Sequence, residues 1–188
     1  VAGLEYDWKL ITEFWSEVLG VQDLYADMLA NYDARIAEFQ AAMTDDPEIS
    51  VIGTSSYGAY MWLEDTAPGV VLADAGLSRP ESQALSGEAS VERYGSERWI
   101  LLSEERFDLA DADAIFVFSY ATTDPEVVEE ETAAMEAFKA DTVWNALSAV
   151  QADKVYYVGP HWWRAQTYLL ANKVLDDLIT NLTGSIAS

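Results

Sequence analysis

The amino-acid sequence predicts an α/β sandwich, in which helices cover both faces of a mainly parallel sheet. Short runs rich in β-branched and aromatic residues alternate with segments whose apolar residues recur every three or four positions. Strands that alternate with helices in this way typically form a mainly parallel sheet. With 188 residues, of which 51% are hydrophobic, the chain is also long enough to bury one core.

Two helices are predicted before the first strand. The shorter one begins with Thr12 as its N-cap and ends before Gly20, because glycine readily adopts the left-handed conformation that closes a helix. The longer one covers 22–43 and ends at the Asp-Asp-Pro sequence of 45–47, since proline cannot continue a helix. This helix would be roughly 33 Å long, about the width of a small domain.

Five strands are predicted from their β-branched and aromatic content, at 49–53, 57–63, 98–102, 114–118 and 155–158. Between the second and third strands, Thr66 and Pro68 open a helix that Gly76 closes, since the first turn of a helix tolerates the missing N–H of proline. Residues 81–96 are polar and rich in glycine and serine, so we expect a long loop there.

The second half of the chain contains the remaining predicted helices. Ser103 is the expected N-cap of a short helix. Residues 125–139 form a longer helix with the acidic residues 129–131 on its solvent side, and 144–150 form a short helix before the last strand. The closing helix is predicted from an apolar stripe with helical spacing: Ala171, Val174, Leu175, Leu178, Ile179 and Leu182.

The composition excludes several function classes. The formal net charge of −23, from 33 acidic and 10 basic residues, repels phosphate backbones and argues against nucleic-acid binding. Cysteine is absent, so disulfides, thiolate metal sites and cysteine nucleophiles are excluded. No apolar run is long enough to span a membrane. The first residues lack the features of a signal peptide, and we expect the chain to be the later part of a longer protein.

Catalytic signatures are weak in this sequence. Residues 53–58 approach but do not match the Gly-x-Ser-x-Gly nucleophile motif, and phosphate-binding glycine motifs are absent. His161 is the only histidine, so a two-histidine metal site is excluded. One enzymatic alternative stays open: an acidic α/β enzyme in which His161 acts as general base beside Arg164.

The strongest candidate binding site is the segment 160–165, Pro-His-Trp-Trp-Arg-Ala, which we call the tryptophan loop. Aromatic faces beside a guanidinium suit a large, planar, anionic or oxygen-rich ligand. Trp162 and Trp163 are both candidates, although adjacent residues of an extended loop point to different sides, so we expect one of them in the core. Arg164 either contacts the ligand or pairs with a nearby acid.

A second candidate cluster lies at the end of the predicted polar loop. Arg93, Tyr94, Arg98 and Trp99 place two arginines and two aromatic rings within a short stretch of an otherwise acidic chain. Trp99 is equally consistent with a strand residue that packs inward. Two tyrosines near the ends of predicted strands complete the set of candidate ligand-binding residues: Tyr57 and Tyr120.

Three stretches of the chain resemble iron(III)–siderophore substrate-binding proteins of bacterial ABC importers. Residues 70–80 contain the pattern Leu-x-x-x-Gly-Leu-x-x-Pro, and 103–117 contain Ser-x-Glu-x-Phe followed by Asp-x-Asp-x-Ile-x-Val. Residues 144–178 combine Trp-x-x-Leu-x-Ala-Val, a strand, an aromatic loop and Leu-Asp-Asp-Leu. The resemblance covers the whole chain, but only as the C-terminal part of a longer protein that begins with another lobe.

This resemblance implies a transport protein that catalyses no reaction. The ligand would be a ferric siderophore, held in a cleft between two lobes and delivered to an ABC permease, with no covalent cofactor. Haem, cobalamin or another metal chelate is the alternative ligand. The implied division of the chain is an N-terminal helical segment (1–20), a long interlobe helix (21–45) and a C-terminal α/β ligand-binding lobe (46–188).

The type of siderophore stays open at this point. Fe(III) takes oxygen ligands, and the siderophore supplies all six, so no metal ligand is expected from the protein. Ferric catecholate and carboxylate complexes are anionic and favour arginine, whereas hydroxamate complexes are closer to neutral or cationic and favour aromatic side chains. The candidate residues include both kinds.

The resemblance also implies a docking site and a location. Glu105, two places after Ser103, matches the exposed glutamate that contacts arginines of the permease in this family, and Glu104 is the second candidate. An acidic residue at a helix start is alternatively explained by the helix dipole. The implied location is extracytoplasmic, in the periplasm or as a cell-surface lipoprotein whose membrane association depends on an upstream lipid anchor.

Overall fold

The computed structural model describes residues 8–120 and 124–184. Within these ranges the chain forms one five-stranded sheet with the strand order β3-β2-β1-β4-β5. The strands are β1 (Ile49–Ser55), β2 (Gly58–Trp62), β3 (Trp99–Leu102), β4 (Ala114–Ser119) and β5 (Val155–Val158). β4 is parallel to both β1 and β5, whereas β2 is antiparallel to both β1 and β3. Four of these five strands therefore run in one direction, and only β2 is reversed.

Helices flank this sheet on both faces in the described part of the chain. The α-helices are α1 (Trp8–Leu19), α2 (Gln22–Ala42), α3 (Ala67–Asp74), α4 (Gly87–Tyr94), α5 (Pro125–Ala140), α6 (Ser148–Gln151) and α7 (Tyr168–Leu178). The 3₁₀ helices are Glu104–Ala110 and Trp144–Ala146, and a π-helix, Ile179–Thr183, continues α7. None of the described helices is both long and apolar enough to cross a bilayer.

Two hydrophobic cores lie on opposite faces of the sheet, which confirms the predicted three-layer sandwich. On one face, α1, α2, α3 and α7 cover residues such as Val51 and Phe116. On the other face, α5, α6 and the two 3₁₀ helices cover residues such as Ile52 and Val117. β1 and β4 are buried on both faces because each face is covered by helices.

The N-terminal helix α1 begins earlier than predicted, and its first turn attaches it to the core. Thr12 lies inside the helix, where its hydroxyl donates to the carbonyl of Trp8 at 2.7 Å, so the predicted N-cap is wrong. Trp8 is only 1% exposed and packs edge-on against Tyr32 of α2. The Lys9 ammonium also donates to Asp74 of α3 at 2.6 Å. These long-range contacts stabilise a turn that periodicity alone did not indicate.

The expected long loop at 81–96 contains the helix α4, so this prediction is wrong in part. The N–H of Gly87 donates to the carboxylate of Asp65 at 2.6 Å, which anchors the first turn of α4. Gly95 closes the helix with a φ of 74°, a left-handed conformation that favours glycine. The Tyr94 hydroxyl donates to the carbonyl of Ser82 at 3.1 Å. Contacts of this kind outweigh the polar composition that suggested a loop.

The buried side chain of Arg79 connects the segment after α3 to the sheet. Its guanidinium donates to the carbonyl of Ile49 at 2.8 Å and to that of Trp62 at 2.6 Å, and it also contacts the amide oxygen of Gln83. Burial lowers the pKa of Arg79 to about 10. Arg79 therefore has a structural role in joining β1 and β2 to the chain that follows α3.

The predicted short helix after Ser103 is present as a 3₁₀ helix, but Ser103 does not cap it through its side chain. The Ser103 side chain makes no capping hydrogen bond, and the helix is interrupted at Arg106 by a non-helical conformation. Phe107 and Ala110 are buried in this segment and hold it against the sheet.

Candidate functional site

A concave pocket lies at the carboxyl ends of β1 and β4. It has a volume of about 440 Å³ and is bounded by the β1–β2 turn, β2, the first turns of α5 and the tryptophan loop. In α/β sheets, ligands bind outside the carboxyl ends of the strands, where the loops from several strands meet. Six aromatic side chains line it and define what we call the aromatic pocket: Tyr57, Tyr60, Trp62, Trp99, Tyr120 and Trp163.

The rings of the aromatic pocket contact one another around Trp163. The Trp163 ring lies edge-on to Trp62 and to Tyr120, with a centroid distance of 5.2 Å in each case. The ring centroids of Trp62 and Trp99 are in turn 5.7 Å apart. These contacts fix the orientation of the rings before any ligand is present, which reduces the entropy that binding would cost.

The aromatic pocket is open to solvent at its rim. Tyr57, in the β1–β2 turn, is 83% exposed, whereas Trp62 at the base is 5% exposed. Trp99 and Tyr120 are also exposed, at 38% and 39%. Exposed large aromatic side chains grouped at one edge of a sheet are typical of a surface that contacts a ligand or another protein domain.

The structure places Trp162 in the core, which corrects its assignment as a ligand-binding residue. Its ring has no exposed surface and stacks on Phe116 with a centroid distance of 4.8 Å. Its indole N–H donates to the carboxylate of Asp177 on α7 at 2.7 Å. Trp163 lies on the other side of the loop and lines the aromatic pocket. The expectation that the two tryptophans separate in this way is met.

The other polar residues of the tryptophan loop, His161 and Arg164, lie apart from the aromatic pocket. His161 Nε2 lies 2.8 Å from the same Asp177 carboxylate, so the histidine helps to attach the loop to α7. Arg164 is exposed, and no side-chain hydrogen bond or ion pair joins it to residues 8–120 or 124–184. Neither residue lines the aromatic pocket. The described residues also contain no group of three histidines or acids that could hold a metal ion.

The second predicted cluster is divided between two places. Trp99 lies in the aromatic pocket, and the Arg98 guanidinium lies 4.7 Å from the centroid of the Trp99 ring. Arg93 and Tyr94 instead line a separate depression with residues of the segment before α4 and of the 3₁₀ helix Glu104–Ala110. The left-handed turn at Gly95 redirects the chain, so residues close in sequence reach different surfaces.

Several residues of the pocket were not predicted from the sequence. Tyr60 and Trp62 occupy alternate positions of β2 and therefore face the same side of the sheet. Their two-residue spacing could have indicated this, but the surrounding run of apolar residues obscured it. Glu130 and Glu131 of α5 also line the pocket. All three acidic residues at 129–131 were expected on the solvent side of the helix.

Glu131 does not lie on the solvent side of α5 as expected, since it is only 8% exposed. One carboxylate oxygen, Oε1, accepts a hydrogen bond from the N–H of Ser56 in the β1–β2 turn at 3.1 Å. The other, Oε2, is buried and has no partner among the described residues. Glu131 faces inward because α5 packs beside β1 and brings it to this turn.

Gly53 allows Trp62 to occupy the base of the pocket. A Cβ atom at this position would lie 2.6 Å from Trp62 Nε1 and 3.0 Å from the ring of Phe118. The Trp62 N–H is itself buried, with no acceptor in the part of the chain that the structure describes. Among the described residues, the base of the pocket therefore contains an unpaired donor, Trp62 Nε1. The side of the pocket formed by α5 contains an unpaired acceptor, Glu131 Oε2.

The two predicted docking residues lie outside the aromatic pocket. Glu104 and Glu105 are the first residues of the 3₁₀ helix Glu104–Ala110, and both are exposed. This helix follows β3 directly, so the two carboxylates project from the surface close to the end of an edge strand.

Comparison with known proteins confirms the resemblance to siderophore-binding proteins. No family model matches the chain. The chain is 24% identical over 177 residues to the probable siderophore-binding lipoprotein YfiY of Bacillus subtilis. The aligned region covers 93% of this chain and 53% of YfiY. The structure is similar to Staphylococcus aureus SirA, with a TM-score of 0.78, 24% identity and coverage of 94% of this chain and 65% of SirA.

A third relative is a siderophore complex. Bacillus subtilis FeuA, a triscatecholate siderophore-binding protein solved with ferri-bacillibactin, matches with a TM-score of 0.77 and 20% identity over 95% of this chain and 60% of FeuA. The chain thus spans about half the length of the curated relative and less than two thirds of these two solved structures. That extent is consistent with one lobe of such a protein.

Proposed function

We propose that this chain is the C-terminal lobe of an extracytoplasmic substrate-binding protein, which binds a ferric siderophore in the aromatic pocket and delivers it to an ABC permease without catalysing a reaction. The observation that carries this proposal is the aromatic pocket itself: six ring side chains at the carboxyl edge of the sheet, in a fold similar to that of siderophore-binding proteins. A periplasmic or lipid-anchored location follows from the same likeness.

The chemistry of the pocket suits a ligand that already encloses its metal. Fe(III) needs hard oxygen ligands, which a siderophore already supplies, and ring faces can contact the organic exterior of such a chelate. Each well-placed ring contact contributes about 0.5–1.5 kcal/mol beyond the area that it buries. The exposed rim at Tyr57 would face the opposite lobe, with α2 as the helix that joins the lobes.

Glu105, and secondarily Glu104, are proposed to contact the permease. Their exposure and their position outside the aromatic pocket support this role, because a docking residue has to remain accessible while the ligand is bound. Arginines on the permease would supply the complementary charge.

Tryptophan fluorescence titration with intact ferric siderophores tests the proposed function. Trp163→Ala removes the ring at the centre of the aromatic pocket, so we expect affinity to fall by about ten-fold or more, which corresponds to about 1.4 kcal/mol. Trp15→Ala is the matched control, because Trp15 is 53% exposed on α1 and does not line the pocket. Equal affinities of both variants and the unmodified chain would contradict the proposed site.

A further inference from the structure

We infer that the aromatic pocket prefers neutral or cationic metal chelates and rejects polyanionic ones. This inference rests on the proposed function and adds to it the charge class of the ligand, which the sequence left open. It is based on the kind of charged side chains that line the pocket and on where the basic residues around it lie.

The charged residues that line the aromatic pocket are both acidic. Glu130 and Glu131 extend from α5 into its wall, and no arginine, lysine or histidine belongs to the lining within the described residues. A ligand in the pocket would lie within about 8 Å of these carboxylates, which is the distance over which physiological salt screens charges. Their repulsion of an anionic ligand is therefore only partly screened.

The nearby arginines lie behind or outside the pocket lining, so they offset its negative charge only in part. The Arg98 guanidinium is held over the ring of Trp99, and Arg98 is not itself part of the lining. Arg164 follows Trp163 in the chain but is exposed outside the pocket wall, and Arg93 lines the separate depression. Of the ten basic residues in the sequence, none is thus placed in the pocket lining.

Two buried polar atoms indicate which ligand groups fit. Glu131 Oε2 is an unpaired acceptor on a side chain that is 8% exposed, and it suits an ammonium, amide or hydroxyl donor. Trp62 Nε1 is an unpaired donor and suits an oxygen of the chelate. Because both atoms are buried, a ligand reaches them only when the Trp62 and Glu131 side chains rotate, and a ligand group that then pairs with them offsets the cost of leaving them unpaired. A polyanionic chelate offers acceptors for Trp62, whereas its net charge is repelled at Glu131.

A matched series of ligands isolates the effect of charge from that of shape. Gallium(III) replaces iron(III) as a diamagnetic ion, and its desferrioxamine B complex carries a free ammonium group. The N-acetyl derivative is neutral, the N-succinyl derivative ends in a carboxylate, and the metal-binding hydroxamates are the same in all three. Shifts of the indole N–H signals of the ¹⁵N-labelled 188-residue chain report even weak binding and assign it to Trp62, Trp99 and Trp163.

We expect affinity to fall along the series from the cationic to the neutral to the anionic complex, by about ten-fold in total. Glu131→Gln keeps the Oε1 acceptor for Ser56 but removes the charge, so it should reduce the ratio of the affinities of the cationic and anionic complexes by at least half. Raising the salt concentration to about 1 M should have the same effect on the unmodified chain. Glu129→Gln is the control, because Glu129 is exposed and does not line the pocket.

The possible results separate this inference from the proposed function. Equal affinities along the series, or tighter binding of the anionic complex, would overturn the charge preference while leaving siderophore binding intact. Binding of a gallium triscatecholate without binding of the hydroxamate complexes would likewise overturn the charge preference and leave siderophore binding intact. If none of these chelates shifts the indole signals, both the inference and the proposed function are wrong.

Discussion

At the residue scale, the site depends on a few side chains whose surroundings fix their orientation. Asp177 accepts a hydrogen bond from the Trp162 indole and lies within hydrogen-bond distance of His161, so one carboxylate attaches the tryptophan loop to α7. With Trp162 held in the core, Trp163 is directed to the pocket. The loop thus presents one ring to a ligand because its neighbour is held by the fold.

Gly53 provides the sharpest single-residue prediction. Gly53→Ala would place a methyl group 2.6 Å from Trp62 Nε1, so the indole has to move and the base of the pocket changes shape. We expect siderophore affinity to fall by at least ten-fold, and the free energy of unfolding to fall by about 1–3 kcal/mol through overpacking. Fluorescence titration and urea denaturation measure the two effects.

Gly69→Ala is the comparison for that variant. Its Cβ would lie 2.3 Å from the carbonyl oxygen of Glu64, away from the aromatic pocket, so it should lower stability without changing the affinity of the folded chain. Unchanged binding by Gly53→Ala would mean that Trp62 does not shape the ligand site.

At the scale of elements, the short helix α6 depends on a residue distant in sequence. Its N-terminal N–H groups, from Ser148 and Ala149, donate to the carboxylate of Asp111 at 2.9 and 3.2 Å. Burial raises the pKa of Asp111, but these hydrogen bonds and one from Ala112 outweigh burial and lower the pKa below its usual value of 3.8. The turn before β4 thereby caps the helix that precedes β5.

This cap makes a pH-dependent contribution to stability. A carboxylate whose pKa is lowered by folding stabilises the protein above its unfolded pKa, and this stabilisation is lost as the pH falls through the lower, folded pKa. Asp111→Asn should therefore reduce the free energy of unfolding by about 1 kcal/mol at neutral pH and by progressively less below about pH 4.

Urea denaturation at several pH values measures the contribution of Asp111. Glu38→Gln, an exposed substitution on α2, is the control and should have little effect at any pH. A destabilisation by Asp111→Asn that is the same at neutral pH and at pH 3 would show that the ionised cap is not the cause.

At the scale of the whole molecule, the net charge of −23 on 188 residues determines how the protein responds to salt. Charges of one sign repel each other more in the compact folded state than in the expanded unfolded state, and salt screens this repulsion. Four lysine or arginine side chains form ion pairs among the described residues, one of them an i,i+3 pair on α5, and these are too few to neutralise 33 acidic residues.

We therefore expect the melting temperature to rise by several degrees between low salt and about 1 M KCl. Differential scanning calorimetry at fixed pH measures this change, and an equal concentration of a neutral osmolyte is the control for effects other than screening. A melting temperature that falls with KCl would mean that favourable ion pairs, not repulsion, dominate the electrostatics of the fold.

The sequence by itself determined the α/β class, the core of each of the five strands, the long helix and the class of protein that the chain resembles. These depend on local patterns: Val155–Val158 forms a strand because every residue in it favours one, and α2 ends at Ala42, shortly before the helix-breaking sequence Asp45-Asp46-Pro47. Trp163 and Trp99 were found among the site candidates because each lies beside an arginine, and basic residues are few in this acidic chain.

Only the tertiary structure decided which candidates meet in one pocket. Trp62 and Glu131 lie 69 positions apart and were not predicted, because nothing local distinguishes a strand residue or a helical glutamate that faces a pocket from one that does not. Trp162 and Arg93 were candidates that the fold places elsewhere. Periodicity determines which face of an element a residue occupies, but the packing of β1, β2 and α5 determines what that face meets.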